Sequence, residues 1–265
     1  MTDVKLGFIG AGNMATAILG GVLREKIFLP GEIILADPDA LKLDELSKLG
    51  VQVTKENTLA AESEIIFLAV KPQMMDLVLE GIGDKMDGKC VVSIAPGISS
   101  GYIRSKLPGA HVIRVMPNTP LLVGKGATAV ALSPQTPEGE FRKVLEIFSA
   151  AGDTAVLPEE QMDAIVAVSG SSPAYFFRMA DAMVTEAVRQ GLDAGLALRM
   201  AARTMEGAAA MLLESEKTAG ELTKQVCSPG GTTLAALTAF DEFGFEKMIA
   251  EAMARCTKRT KELGK

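Results

Sequence analysis

The sequence predicts an α/β doubly wound sheet followed by an all-α domain. Three observations carry this: Val- and Ile-rich apolar runs alternate with helix-length segments up to about Gln135, those runs are nearly continuous in hydrophobicity, and the strand signal stops after Pro158. Continuous runs mark strands buried on both faces. Their spacing of roughly 20 residues leaves room for the crossover helices of a parallel sheet. At 265 residues, 48% hydrophobic and 23% charged, the chain has apolar material for one or two cores.

In chain order the strands read "VKLGFIG", "IILAD", "VQVT", "IIFLAV", "CVVSIAP" and "HVIRVMPN", with "GATAVALS" as an extra one. A helix near Pro137 to Ala150 and a short strand around Thr154 to Leu157 close the series. Beyond it, "DAIVAVSGSSPAYFFRMADAMVTEAVRQG", "ALRMAARTMEGAAAMLLES" and "TTLAALTAF" place apolar residues at helical spacing. The expected domains are 1–157, α/β, and 158–265, helical. No Gly/Ser- or Pro-rich linker separates them. Met179, Met183, Met200, Met205, Met211, Met248 and Met253 recur with Ala on the apolar helix faces, either as an ordinary core or as an intersubunit surface. Helices this apolar favour a homodimer.

A formal charge of −6, one histidine and no Lys/Arg cluster speak against a nucleic-acid surface. There is no basic leader with an apolar core and no run near the roughly 18 apolar residues of a membrane span, so a soluble, cytoplasmic protein is expected. Cys90, Cys227 and Cys256 are odd in number and lack CxxC spacing, which implies neither a disulfide framework nor a zinc site and reads as buried thiols.

Gly10-Ala11-Gly12-Asn13-Met14-Ala15 fits GxGxx(G/A). The pattern alone matches plain turns, but here it follows the first strand and opens a helix, the context of a dinucleotide grip. Gly10 permits the turn, Gly12 admits the pyrophosphate and Ala15 keeps the helix close to the sheet. The helix N-terminus supplies N–H groups and a positive dipole end. Asp37, closing the second strand, either bonds a ribose 2′-hydroxyl, favouring NADH over NADPH, or caps "DPDALKL", where Asp39 is a competitor. Asn57 either touches the adenine side or N-caps "TLAAES". Lys71 in "AVKPQ", and Asn118 and Thr119 in "MPNTP", lie at the sheet's carboxyl edge, as ligand contacts or as turn residues.

Carbonyl reduction usually enlists His, Lys or Tyr. His111 starts a strand, on the wrong edge, and Tyr175 in "GSSPAYFF" reads as packing. A cyclic imine, readily protonated, needs no such acid. In "CSPGGTTLAAL", Gly230-Gly231 expose amides and Thr232 or Thr233 can cap the next helix, making an anion seat suited to a carboxylate, or a plain corner between helices.

Together, "FIGAGNMA", "FLAVKPQ", "RVMPNTP", "VSGSSPAYFF" and "SPGGTTLAAL" resemble the pyrroline-5-carboxylate reductase family from end to end, the last block being the most specific. The resemblance implies a Rossmann domain, a helical dimerisation domain, dimers often built into rings, and hydride transfer from NADPH or NADH to 1-pyrroline-5-carboxylate, giving L-proline. It implies that Ala11, Gly12, Asn13 and Met14 meet the pyrophosphate. Asn57 and the run Ala69, Val70, Lys71 and Pro72 would line the cofactor cleft, with Ala95 and Pro96 near the nicotinamide. Gly231, Thr232 and Thr233 would hold the substrate carboxylate, the Thr233 hydroxyl would bond the ring nitrogen, and Glu216 would lie close by. This chain departs from the family's habit at Ser172 (Gly), Gln225 (Asn) and Asp37 (a small hydroxyl residue in members favouring NADPH). Two other readings are a β-hydroxyacid-type dehydrogenase, whose helical Lys is missing from "VSGSSPAYFFRMADAM", and a non-catalytic dinucleotide sensor.

Overall fold

A computed structural model describes residues 4–83 and 86–264, so the expected domain limits at residues 1 and 265 lie outside the described residues. Packing divides the chain into two units, residues 1–173 with 255–265, and residues 174–254.

The first unit is built on eight strands, β1 (Leu6–Ile9), β2 (Ile33–Ala36), β3 (Gln52–Thr54), β4 (Ile65–Leu68), β5 (Cys90–Ser93), β6 (His111–Met116), β7 (Gly126–Ala131) and β8 (Gly152–Leu157), in the order β3-β2-β1-β4-β5-β6-β7-β8. Its helices are α1 (Asn13–Arg24), α2 (Ala40–Ser47), α3 (Asn57–Ala60), α4 (Met75–Ile82), α5 (Ser100–Lys106), α6 (Glu138–Ser149) and the short α7 (Met162–Ile165). Successive strand residues point to opposite faces, and both faces are buried. Leu6, Phe8, Leu35 and Phe67 pack with Ile18 and Leu19 of α1 and Phe148 of α6, while Ile9, Ile66, Leu68 and Val91 pack with Val78, Leu79 and Ile82 of α4. Phe67 stacks on Phe8 with ring centroids 5.0 Å apart and tilts against Phe148 at 5.8 Å. This two-faced burial is why the runs read as continuous rather than alternating.

The wholly parallel sheet needs one correction. β7 runs antiparallel to β6, because only a short 3₁₀ turn, Thr119–Val123, joins them, and a parallel return requires a longer crossover. β8 then pairs parallel to β7 after α6. β3 and β8 lie at the sheet's edges and are its least buried strands.

The run "DAIVAV…RQG", with its apolar residues at helical spacing, is helical but interrupted. After α7 the backbone widens into a π-helical turn, Val166–Gly170, and α8 (Pro173–Arg189) starts on a proline, whose missing N–H and fixed φ suit a first helical position. Gly170 packs against Met116, whose Cε would lie 2.5 Å from a Cβ there. The Ser172 hydroxyl donates to the Val168 carbonyl at 2.5 Å, tightening that junction. The second unit holds the rest of α8 with α9 (Ala194–Glu214), α10 (Ala219–Val226), α11 (Thr232–Glu242) and the first part of α12 (Phe245–Leu263).

That second unit has almost no interior: among its residues only Ala197 and Ala201 are buried. Phe176, Phe177, Met183, Leu198, Met200 and Phe243 are all exposed. Phe176 and Phe177 therefore do not form the internal packing expected of them, while Tyr175 beside them is half-buried. Of the three thiols only Cys90 is buried, and burial together with nearby Glu140 pushes its pKa well above the usual thiol range. Among the described residues, no helix is long and apolar enough to cross a membrane.

Candidate active site

The strand register levels one edge of the sheet. Ile9 pairs with Ala36 and Leu68, and Leu68 with Ser93, so β2, β1, β4 and β5 end side by side. The residues that follow are Asp37, Gly10, Ala69 and Ile94, and the chain order reverses at β1, the switch point where ligands of open α/β sheets bind. Every expected cofactor residue falls on this shelf. Gly10 to Met14 leave β1, Asp37 leaves β2, Asn57 follows β3, Ala69 to Pro72 follow β4, and Ala95 and Pro96 follow β5.

Local chemistry sets each position. Gly10 has φ of 97°, and a Cβ there would lie 2.7 Å from the Ala69 carbonyl oxygen and 3.0 Å from Val70 Cγ1, so only glycine lets the two loops touch. Gly12 is the N-cap of α1, with open space where a Cβ would project. No side chain caps α1 and its first turn holds no acid. The amides of Asn13, Met14 and Ala15 thus face an uncompensated positive helix end. Beside it, Ala11, Asn13, Thr16, Leu41, Lys42, Glu45 and Leu46 line a cavity of about 370 Å³. The open Gly12 cradle and the free amides fit the diphosphate of a dinucleotide.

Asp37 is buried, and both its oxygens accept backbone amides: Oδ2 from Ala11 at 2.8 Å and Oδ1 from Asp39 at 2.9 Å. Lys42 Nζ stands 3.8 Å from Oδ1. Capping of α2 falls to Asp39, whose carboxylate accepts from Leu41 at 3.0 Å, so the cap reading of Asp37 is corrected. The cap reading of Asn57 also fails: Glu56 is the N-cap of α3, without a side-chain bond, and Asn57 is the first helical residue. Asn118 turns inward as a brace, its amide donating to the Ser169 carbonyl at 3.1 Å and accepting from Ala127 at 3.0 Å. His111 lies at the opposite end of the sheet's strands, its Nδ1 2.9 Å from Glu140 Oε2. The sequence reading missed Thr16, Leu41 and Lys42; a first-turn residue of α1 and the helix after Asp37 were the only signal for them.

In the helical unit, Gly231 rather than Thr232 or Thr233 is the N-cap of α11, and no side chain caps it. Its own N–H is taken by the Ser228 carbonyl at 2.9 Å, and a Cβ would lie 2.3 Å from Ser228 Oγ. With no acid in the first turn, the amides of Thr232, Thr233 and Leu234 sit at a bare positive helix end, the pattern already seen in α1. Both threonine hydroxyls are left for other partners. Glu216 is exposed in the turn between α9 and α10 and has no hydrogen-bond or ion-pair partner among the described residues. Gln225 accepts from Lys217 Nζ at 2.8 Å.

Residues 159–263 match the family described as pyrroline-5-carboxylate reductase dimerisation, and residues 5–97 that described as NADP oxidoreductase, coenzyme F420-dependent. The chain is 39% identical to a pyrroline-5-carboxylate reductase of Synechocystis and 38% to that of Escherichia coli K12, over 99% of each chain. Among solved structures it is similar to the Plasmodium falciparum pyrroline carboxylate reductase with NADP bound (TM-score 0.91, 26% identity, all of both chains). It is also similar to a pyrroline-5-carboxylate reductase of Coxiella burnetii (TM-score 0.88, 32% identity, all of both chains). With full-length relatives well above 30% identity and a level cofactor shelf joined in one chain to the helical anion seat, this chain belongs to the pyrroline-5-carboxylate reductase family.

Proposed function

We propose that the chain carries out its family's reaction, the NAD(P)H-dependent reduction of 1-pyrroline-5-carboxylate to L-proline, and that the two bare helix ends divide the work. The α1 end, with Ala11 to Met14, holds the cofactor diphosphate, and Asn57, Ala69 to Pro72, Ala95 and Pro96 line the rest of its cleft. A bound reduced nicotinamide supplies a hydride to the imine carbon. The free amides of Thr232 and Thr233 receive the substrate carboxylate beside Gly231, whose own N–H is held by the Ser228 carbonyl, and the Thr233 hydroxyl bonds the ring nitrogen. Glu216, exposed and unpaired, stands ready for the same site. No side chain here needs to act as a strong acid, since a cyclic imine is protonated before reduction. The protein's share is orientation, exclusion of water and hydrogen bonding at the nitrogen.

The observation that carries this reading is the repeated device at Gly12 and Gly231: a glycine N-cap, no capping side chain and no acid in the first turn. We assign residues 1–157 to cofactor binding and 158–265 to substrate binding and assembly. Assembly is as a homodimer, with a larger ring as a further step, and the enzyme works in the cytoplasm. The helical unit's lack of interior supports the dimer. The test is oxidation of NADH and NADPH by the purified protein in the presence of 1-pyrroline-5-carboxylate. Thr233→Ala is expected to lower kcat/KM by about 10- to 100-fold, the loss of one hydrogen bond to a charged group, with cofactor affinity unchanged. Unchanged kcat/KM removes Thr233 from the catalytic list.

A further inference from the structure

We propose that the last turn of α12 positions the Ala95–Pro96 loop, with Gly97 and Gly264 as the positioning residues. The inference rests on the reading that this loop borders the nicotinamide.

Residues 255–265 pack with the sheet unit, and their contact with the loop is made of backbone. Gly97 is buried with φ of 78°. A Cβ there would lie 2.3 Å from the Thr260 carbonyl oxygen, 2.9 Å from Gly264 N and 3.1 Å from Gly264 Cα. Conversely, a Cβ on Gly264 would lie 2.6 Å from the Gly97 carbonyl oxygen. The nearest atoms on both sides of this contact are backbone rather than flexible side-chain ends, so the loop sits where the helix end puts it.

That helix end is itself fixed. Thr260 is 3% exposed and its hydroxyl donates to the Cys256 carbonyl at 3.0 Å, while Cys256 Sγ lies 3.3 Å from Ser171 Oγ. The loop's other anchors are at its ends: Ile94 N–H donates to the Leu68 carbonyl at 3.3 Å, and Ser100 N–H to Glu159 Oε1 at 2.6 Å. Between them the loop's middle is backed by α12. Placement of a reacting ring is sensitive to displacements of about 1 Å, which cost on the order of 100-fold in rate.

The test uses Gly264→Ala, at the end of α12, and Gly97→Ala, with thermal unfolding as a check on folding. In the unaltered protein, NADH or NADPH should slow amide exchange in residues 94–98. Gly264→Ala without cofactor should speed exchange in that segment about tenfold, and leave the segment 10–14 as it was. With substrate it should lower kcat about tenfold or more, while calorimetry finds cofactor affinity within about threefold of the original. Unaltered exchange at 94–98 in both variants overturns the proposal, as does faster exchange with unaltered kcat. A fall in melting temperature with kcat preserved also overturns it, showing a merely structural contact. If cofactor fails to protect residues 94–98 in the unaltered protein, the placement of Ala95 and Pro96 beside the nicotinamide fails first, and the inference goes with it.

Discussion

The sheet unit and the helical unit obey the same hydrophobic effect with opposite results. In the first, phenylalanines and β-branched residues of the inner strands are closed over on both faces by helices, and Phe8, Phe67 and Phe148 have no exposure at all. In the second, residues of equal hydrophobicity stand in the open, with Phe177 67% exposed and Leu213 85%, and only two alanines are covered. A segment of helices with no interior does not offset its own conformational entropy. The sheet unit finishes itself, whereas the helical unit leaves its apolar residues uncovered within one chain.

That contrast can be broken most forcefully at Phe67. Phe67→Ala should cost about 3–5 kcal/mol of stability, read by denaturant unfolding, because it leaves a cavity between two aromatic neighbours. The matching change in the helical unit, Phe177→Glu, should leave that unfolding transition of the sheet unit in place while shifting sedimentation toward monomer. A dimer that persisted would place the interface elsewhere. A smaller effect is expected at Asp37, whose carboxylate accepts the Ala11 amide of the glycine turn. Asp37→Ser should weaken both cofactors by calorimetry, NADH more than NADPH, by about 1–2 kcal/mol for NADH, since a buried acceptor for the Ala11 amide is lost. Strengthened NADPH binding at undiminished NADH affinity would deny the grip on the turn. The smallest effect is at Thr218, whose hydroxyl and Glu221 form a reciprocal capping box on α10. Thr218→Ala should cost about 1 kcal/mol. Hydrogen bonds from Thr218 lower the Glu221 pKa, so the box stabilises the protein above the ordinary carboxylate range and weakens as pH falls through the lowered value. An acid unfolding profile that does not differ between Thr218→Ala and the original chain would deny it.

Much of this was legible before any coordinates. Strands, their burial on both faces and the glycine turn follow from patterns spanning a few residues, and all the expected cofactor positions lie on one edge of the sheet. What was not legible depends on partners distant in sequence. The reversal of β7 turns on the length of one connection, and the Asn118 brace on the Ser169 carbonyl 51 residues later. Asp37 offered a cap reading because its partner, the Ala11 amide, lies 26 residues earlier in the chain. The two threonines of "SPGGTT" looked like caps by composition. The glycine before them takes that place, and their hydroxyls stay free.

The flush ends of β2, β1, β4 and β5 carry a consequence for engineering. Because Ala36, Ile9, Leu68 and Ser93 stop at one height, the segments after them meet one another above a common floor, Ala11 bonded to Asp37 and Gly10 packed against Ala69. A single residue inserted inside any of those strands would turn its side chains over and tilt the floor itself.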